Sequence, residues 1–272
     1  MKINKKIKDD KLAFIGLIII LLIVIMGIFA NYIAPNNPIE VDLSKRLEQP
    51  GNIYPLGTDH LGRCILSRLI YGIRISLGTS FILLFIILTI GISIGLIAGY
   101  FGGIIDEVIM RAIDIILAFP GLILDIAIAG ILGPSLVNLM IAIASVQWVG
   151  YARIIRGMVL SIKEQEFVLA ARVMGNSDFK IITKHILPNI ISQIIILATL
   201  DMGSIILRIS GLSFLGLGAQ PPTPEWGAML NDARPYMQIA PWLMIFPGAS
   251  ILVVVMSFNL FGDGLRDLLD PK

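Results

Sequence analysis

Two carboxylates, Asp125 and Asp201, stand inside long stretches that otherwise carry no charge. A carboxylate at bilayer depth costs about 2.5–3.5 kcal/mol on insertion scales. Each is therefore a candidate for lining a polar pathway, and the two together are a candidate acid pair for intramembrane catalysis. A structural role competes in both cases: Asp201 could cap a break beside Gly203 or pair with Arg208, and Asp125 follows Pro120-Gly121, where a break could expose it. The only histidines are His60 and His185, and the only cysteine is Cys64. A metal site usually needs several converging N, O or S ligands, so no metal ligand is assigned and the thiol reads as inert. The Met residues are scattered along apolar stretches and read as core filling. No G-x-x-x-x-G-K-[ST] occurs, so the chain hydrolyses no nucleotide by that device and is expected to bind no cofactor itself.

Those carboxylates are positioned by unusually apolar elements. Of 272 residues 56% are hydrophobic and 15% charged, with a mean hydropathy of +0.88. Soluble domains are about 25% charged, and the net charge of +2 offers no basic field for nucleic acid. The expected class is an all-α polytopic membrane protein. A span needs about 20 apolar residues, and the gaps between charges supply six. The first is Leu12 to Ala34 and the second lies within Ile75 to Ile105. The third and fourth divide at Gly133-Pro134-Ser135; the fifth is Asn189 to Leu207, and the sixth lies within Pro235 to Gly262. The first is too long for a signal-peptide core and shows no small-residue cleavage site, so it reads as a retained helix.

Positive charge sets direction. With both termini cytoplasmic, segments 1–11, 101–116, 153–185 and 262–272 hold fourteen Lys and Arg, against seven in 33–74, 133–138 and 208–240. The expected location is the cytoplasmic membrane, with a first unit at 1–74 (one span plus an extracytoplasmic segment) and a core at 75–272.

Segment 153–188 is too polar to span and too patterned to be a linker. Phe167, Ala170, Ala171 and Met174 recur at helical spacing, and Gly175 suits a helix C-terminal turn. Asn176-Ser177-Asp178 can cap a second helix over Phe179 to Ile186. Two short helices around a glycine form a knob whose small side chains allow another surface close to the backbone; a helix lying on the lipid is the alternative. The loop at 209–227 sets Gly211, Gly216 and Gly218 among large apolars before Pro221-Pro222-Thr223-Pro224. It suits a re-entrant segment packed on protein, with Trp226 as an interfacial anchor, and a purely structural plug is the alternative.

Leu169-Ala170-Ala171, then Gly175, then Leu187-Pro188 resemble the "EAA" loop of ABC importer permeases. Leu169 stands where Glu is common, and His185 where an aliphatic is common. Three further segments resemble the dipeptide, oligopeptide and nickel branch: Leu56 to Arg63, Ser213 to Gly227, and Phe258 to Asp267 followed by Asp270-Pro271. The resemblance covers residues 10–272, with Cys64 replacing an acidic residue usual after that Gly-Arg. It implies a type I importer permease fold with six spans and no catalysis by this chain. It also implies docking of ATPase subunits on Glu166, Leu169, Ala170, Ala171, Gly175, Leu187 and Pro188. Gly216, Gly218, Pro222 and Trp226 would meet an extracytoplasmic binding protein. Asp125 and Asp201, as carboxylates inside apolar spans, are the candidates for lining the path. The implied partners are a second homologous permease, two ATPase subunits, the binding protein and membrane lipid, without nucleic acid.

For cargo, Ala198 to Gly203 and Asn231 to Arg234 look nearer to nickel or metal-chelate permeases, while Gln220 to Pro224 is equally at home in peptide permeases. The expectation is nickel or a nickel chelate, with dipeptides or oligopeptides as the alternative. An intramembrane enzyme has no use for a coupling loop. A stand-alone carrier would be expected to show an internal repeat, and none is convincing.

Overall fold

The computed structural model describes residues 11–269 and, within them, is built from helices. The basic residues before Lys11 and the Asp270-Pro271 pair lie outside the described residues. In chain order the helices are α1 (Lys11–Ile28), α2 (Ile65–Phe101), α3 (Gly103–Leu117), α4 (Gly121–Leu132), α5 (Leu136–Lys163), α6 (Glu166–Val173), α7 (Asp178–Phe214), α8 (Trp226–Ala233) and α9 (Trp242–Leu269). Five of them, α1, α2, α5, α7 and α9, are long and apolar enough to cross a bilayer, and the bent pair α3–α4 makes a sixth candidate.

The most extensive interface joins α2 to α5. Gly91, Gly95 and Gly99 recur every fourth residue, so they share one face of α2. A Cβ on Gly91 would lie 2.6 Å from the Tyr151 Cβ, on Gly95 2.7 Å from the Ala152 carbonyl, and on Gly99 2.8 Å from the Val159 Cβ. Lipid tails are as apolar as Leu, so helices in a bilayer associate through close packing of this kind rather than through hydrophobic transfer. The last helix, α9, packs on both α1 and α7. Gly16 of α1 lets the backbone at Ser257 come close, and Gly27 leaves room for the side chain of Ile73 of α2.

Charges do not end the helices where the sequence suggested. Helix α2 starts ten residues early, at Ile65, and takes in Arg68 and Arg74. Arg74 is tolerated because its guanidinium donates to the Gly27 and Ile28 carbonyls and to Asn31 Oδ1, at 2.5, 2.7 and 3.1 Å. These carbonyls lie at the C-terminal end of α1, where helical partners run out. Likewise α5 runs on through Arg153 and Arg156, which pair with Asp114 and Asp106 of α3.

The third span is not one straight helix. Helices α3 and α4 meet at 84° around Ala118-Phe119-Pro120. Pro120 lacks a donor and pushes Phe119 away from helical dihedrals. The knob also differs from two separate short helices. Its second helix runs unbroken into the fifth span through a π turn at Ile182–Ile186, where the Leu187 N–H bonds to the Ile182 carbonyl. A wider turn just before Pro188 relieves the clash that its ring would make with the carbonyl four residues back.

Between α1 and α2 the connecting segment is latched by the Leu56–Arg63 signature. Gly57 and Gly62 hold positive φ of 80° and 76°, and a Cβ on Gly62 would overlap the Asp42 carbonyl. Asp59 accepts from Arg63 Nε at 2.6 Å; Arg63 reaches Asp232 of α8 at 3.3 Å, and Arg68 lies 3.6 Å from Asp59. His60 stacks on Tyr236 at 5.5 Å, so both the histidine and the motif serve this latch.

Candidate functional site

The two intramembrane carboxylates fall to different partners. Tyr151 of α5 donates its hydroxyl to Asp201 Oδ2 of α7 at 2.6 Å. Arg208, two helical turns beyond Asp201, turns to Asp125 of α4 and donates from Nη1 to Oδ2 at 2.5 Å. The Asp201–Arg208 pairing held open as an alternative does not form, because α4 presents a carboxylate that Arg208 reaches instead. Asp125 is fully buried in its pairing with Arg208; the bend at Pro120 encloses it rather than exposing it. Its Oδ1 has no partner among the described residues. The two carboxylates sit in separate pairings with Arg208 and Tyr151, which does not suit a shared-proton acid pair.

Asp201 is half-buried and the Arg208 side chain is 28% exposed. Along the same stripe of α7 lie Ser204 and Gly211, both exposed. On α5, Gln147 and Gly150 are half-buried, and a Cβ at Gly150 or Gly211 would meet no atom within 4 Å. The stripe is thus polar or small and opens away from the subunit core. An ionised side chain exposed to lipid is costly, and those that persist in spans face a bundle interior or a water-filled cavity.

The knob is built from α6 and the start of α7. Val168 and Ala171 turn inward to the core that holds Ile181 and Ile186, while Phe167, Leu169 and Ala170 stay exposed. The helical face inferred from Phe167, Ala170, Ala171 and Met174 is therefore divided: Ala171 packs inside and the other three point out. Val173, Met174 and Phe179 are 88%, 74% and 78% exposed, an apolar surface without a partner among the described residues. Glu166 opens α6. Gly175 adopts φ 76° and, with Asn176 bonding back to Ala171, closes it by a left-handed cap. Tyr100 at the end of α2 anchors the knob through a 2.6 Å bond to Asp178. Leu187 is half-buried and Pro188 exposed on the continuous helix.

At the other end, the loop 215–225 corrects one reading of the sequence. Trp226 is 2% exposed; its Nε1 donates to the Leu69 carbonyl at 3.1 Å and its ring fills the space left by Gly72. It anchors α8 to α2 and is neither an interfacial anchor nor a contact for a docked protein. Gly218 is buried, with Ser213 in the space a Cβ would need, and Gly216 is half-buried at φ 86°; only Pro222 of the four stands on open surface. Glu225, unmarked by the sequence reading, caps α8 by accepting from the Gly227 and Ala228 N–H groups at 2.9 and 2.8 Å. Burial pushes its carboxyl above the usual range, with these hydrogen bonds opposing. Its position one residue before a helix start is the signal that could have found it.

Residues 91–272, more than half of the chain, match the family described as the binding-protein-dependent transport system inner membrane component. The chain belongs to that family. Residues 3–50 match the N-terminal transmembrane domain of oligopeptide transport permease C. The permease is 49% identical to the dipeptide transport system permease protein of Alkalihalophilus pseudofirmus, over 98% of this chain and 88% of the relative. It is 44% identical to the nickel transport system permease protein of Escherichia coli K12, over 94% and 93%. It is also 44% identical to a glutathione transport system permease protein of Shigella flexneri, over 98% and 89%. It is a multi-pass membrane subunit of an ABC importer and not an enzyme; ATP hydrolysis belongs to separate ATPase subunits, and a substrate-binding protein completes the system.

Proposed function

We propose that this permease carries short peptides, as one of two homologous halves of the pore, in an importer with two ATPase subunits and with ATPase docking on its cytoplasmic knob. The observation that carries the cargo reading is the stripe on α7. It sets a carboxylate and a guanidinium, Asp201 and Arg208, along one open face, with small residues between and beside them. A zwitterion finds both of its charges answered there, whereas among the described residues no three His, Cys, Asp or Glu side chains converge for a bare cation. Identity of 49% to a dipeptide permease supports the same choice. Nickel or a nickel chelate, the expectation from the sequence, stays as the second reading on the strength of the 44% identity to a nickel permease. The exposed apolar knob supports ATPase docking through Ala170 and its neighbours, and the exposed Pro222 supports the outer loop as the place a binding protein meets. The positive-inside bias supports a cytoplasmic knob and cytoplasmic termini.

The deciding experiment is uptake into proteoliposomes holding the whole importer and its binding protein. Labelled dipeptides, labelled nickel and nickel with small chelators are offered in parallel. ATP-dependent peptide uptake is the expected result; uptake of nickel or its chelate without peptide would replace this reading with the second one.

A further inference from the structure

Asp201 and Arg208 are seven residues apart on one helix, which sets their backbones about 10.5 Å apart along the axis at 1.5 Å per residue. The structure frees them from one another, since Tyr151 holds Asp201 and Asp125 holds Arg208. Each keeps unused bonding capacity on its open side. Asp201 Oδ1 has no hydrogen-bond partner among the described residues, and neither do Arg208 Nε and Nη2. Ser204 stands exposed between them, and Gly150 and Gly211 leave space beside them.

We propose that Asp201 and Arg208 act as a two-ended charge ruler, taking the ammonium and the carboxylate of a short peptide at the same moment of its passage. An extended chain advances about 3.3–3.6 Å per residue, so a tripeptide spans about 10 Å and a dipeptide about 7 Å. The axial spacing of the two backbones is therefore of about tripeptide length, and a dipeptide is shorter by about one residue. A single amino acid separates its charges by only about 3 Å and cannot reach both ends. The guanidinium offers a planar fork matched to a carboxylate, and its Asp125 bond uses one Nη1 donor, leaving the edge of Nε and Nη2 for the cargo. Asp125 therefore positions Arg208 and touches no cargo. This inference rests on the peptide reading above and specifies its recognition residues.

The test uses the complete importer in proteoliposomes with its binding protein, reading the amount of assembled complex, ATP hydrolysed, and dipeptide and tripeptide taken up. The single variants are Asp201→Asn and Arg208→Lys. The Asp125→Asn, Arg208→Gln pair removes the charge from both partners and keeps a foldable reference should Arg208 variants fail alone. Expected are assembled complexes in every case with peptide uptake per ATP lowered at least tenfold, including in the double variant. Full uptake by the double variant would overturn the ruler, because Arg208 would then serve only to neutralise Asp125. Unchanged uptake per ATP in Asp201→Asn would overturn it as well. A wild-type importer that moves nickel and no peptide would instead overturn the cargo reading itself.

Discussion

The Tyr151 hydroxyl lies 2.6 Å from the Asp201 carboxylate and ties α5 to α7. The phenol is buried and the carboxylate half-buried, so this single bond orients the one acidic group on the open stripe of α7. Hydrogen bonds to charged groups contribute about 1.5–3 kcal/mol. Tyr151→Phe should lower the thermal midpoint of the detergent-solubilised complex. Asp201→Asn should lower it less, since an amide oxygen still accepts from the hydroxyl; an equal loss would show that the charge, not the bond, holds the helices.

The Asp125–Arg208 pair carries a second expectation. Removing one partner of a buried ion pair costs about 3–5 kcal/mol, while replacing both by neutral groups is often tolerated. Arg208→Gln alone should reduce the amount of folded complex in membranes, and adding Asp125→Asn should restore it. Quantified size-exclusion peaks of the two variants check this.

Helix packing gives a third. A Cβ at Gly95 would sit 2.7 Å from the Ala152 carbonyl, and backbone cannot give way as a flexible side chain would. Gly95→Leu should leave no assembled permease. Gly157→Leu, on an open face of α5 where a Cβ meets nothing within 4 Å, should assemble normally. Pull-down of the complex through its ATPase subunit separates the two outcomes.

Docking is better tested at Ala170 than at Gly175. Gly175 holds φ 76°, so any side chain there strains the backbone and confuses folding with docking. Ala170 is exposed on regular helix, and Ala170→Trp should block ATPase association while leaving the permease inserted. Val173→Cys should react with impermeant thiol reagents from the cytoplasmic side and be protected by bound ATPase. Native Cys64 is only 2% exposed and should stay unlabelled from either side until the protein unfolds. Labelling of Val173→Cys from outside would reverse the topology.

Glu225 makes stability depend on pH. Its folded carboxyl is pushed up by burial, so at pH values between the unfolded and the folded one the native state binds more proton than the unfolded chain does. Stability from this group is present below the unfolded value near 4.5 and is lost as pH rises through the folded one. Glu225→Gln should flatten that limb of the melting-temperature profile, and an unchanged slope would assign it to another group.

The spans, the knob and the family were legible in the sequence because apolar length, helical spacing and Gly175 act locally. Charge gaps placed the helix ends wrongly at Arg74 and Arg153, since a charge ends a span only when nothing nearby neutralises it, and here Gly27, Ile28 and Asp114 do. The glycines at 91, 95 and 99 carried a readable four-residue repeat, yet their meaning depended on which helix lay opposite. Nothing local could decide whether Arg208 would turn to Asp201 on its own helix or to Asp125 across a proline bend. Nor could local pattern distinguish a tryptophan at the membrane interface from Trp226 packed on Gly72. Sequence by itself determined the medium this chain folds in and the helices it forms there. Only the tertiary structure decided which charges meet, because pairing over 83 residues of chain is set by how the bent helix returns, not by spacing.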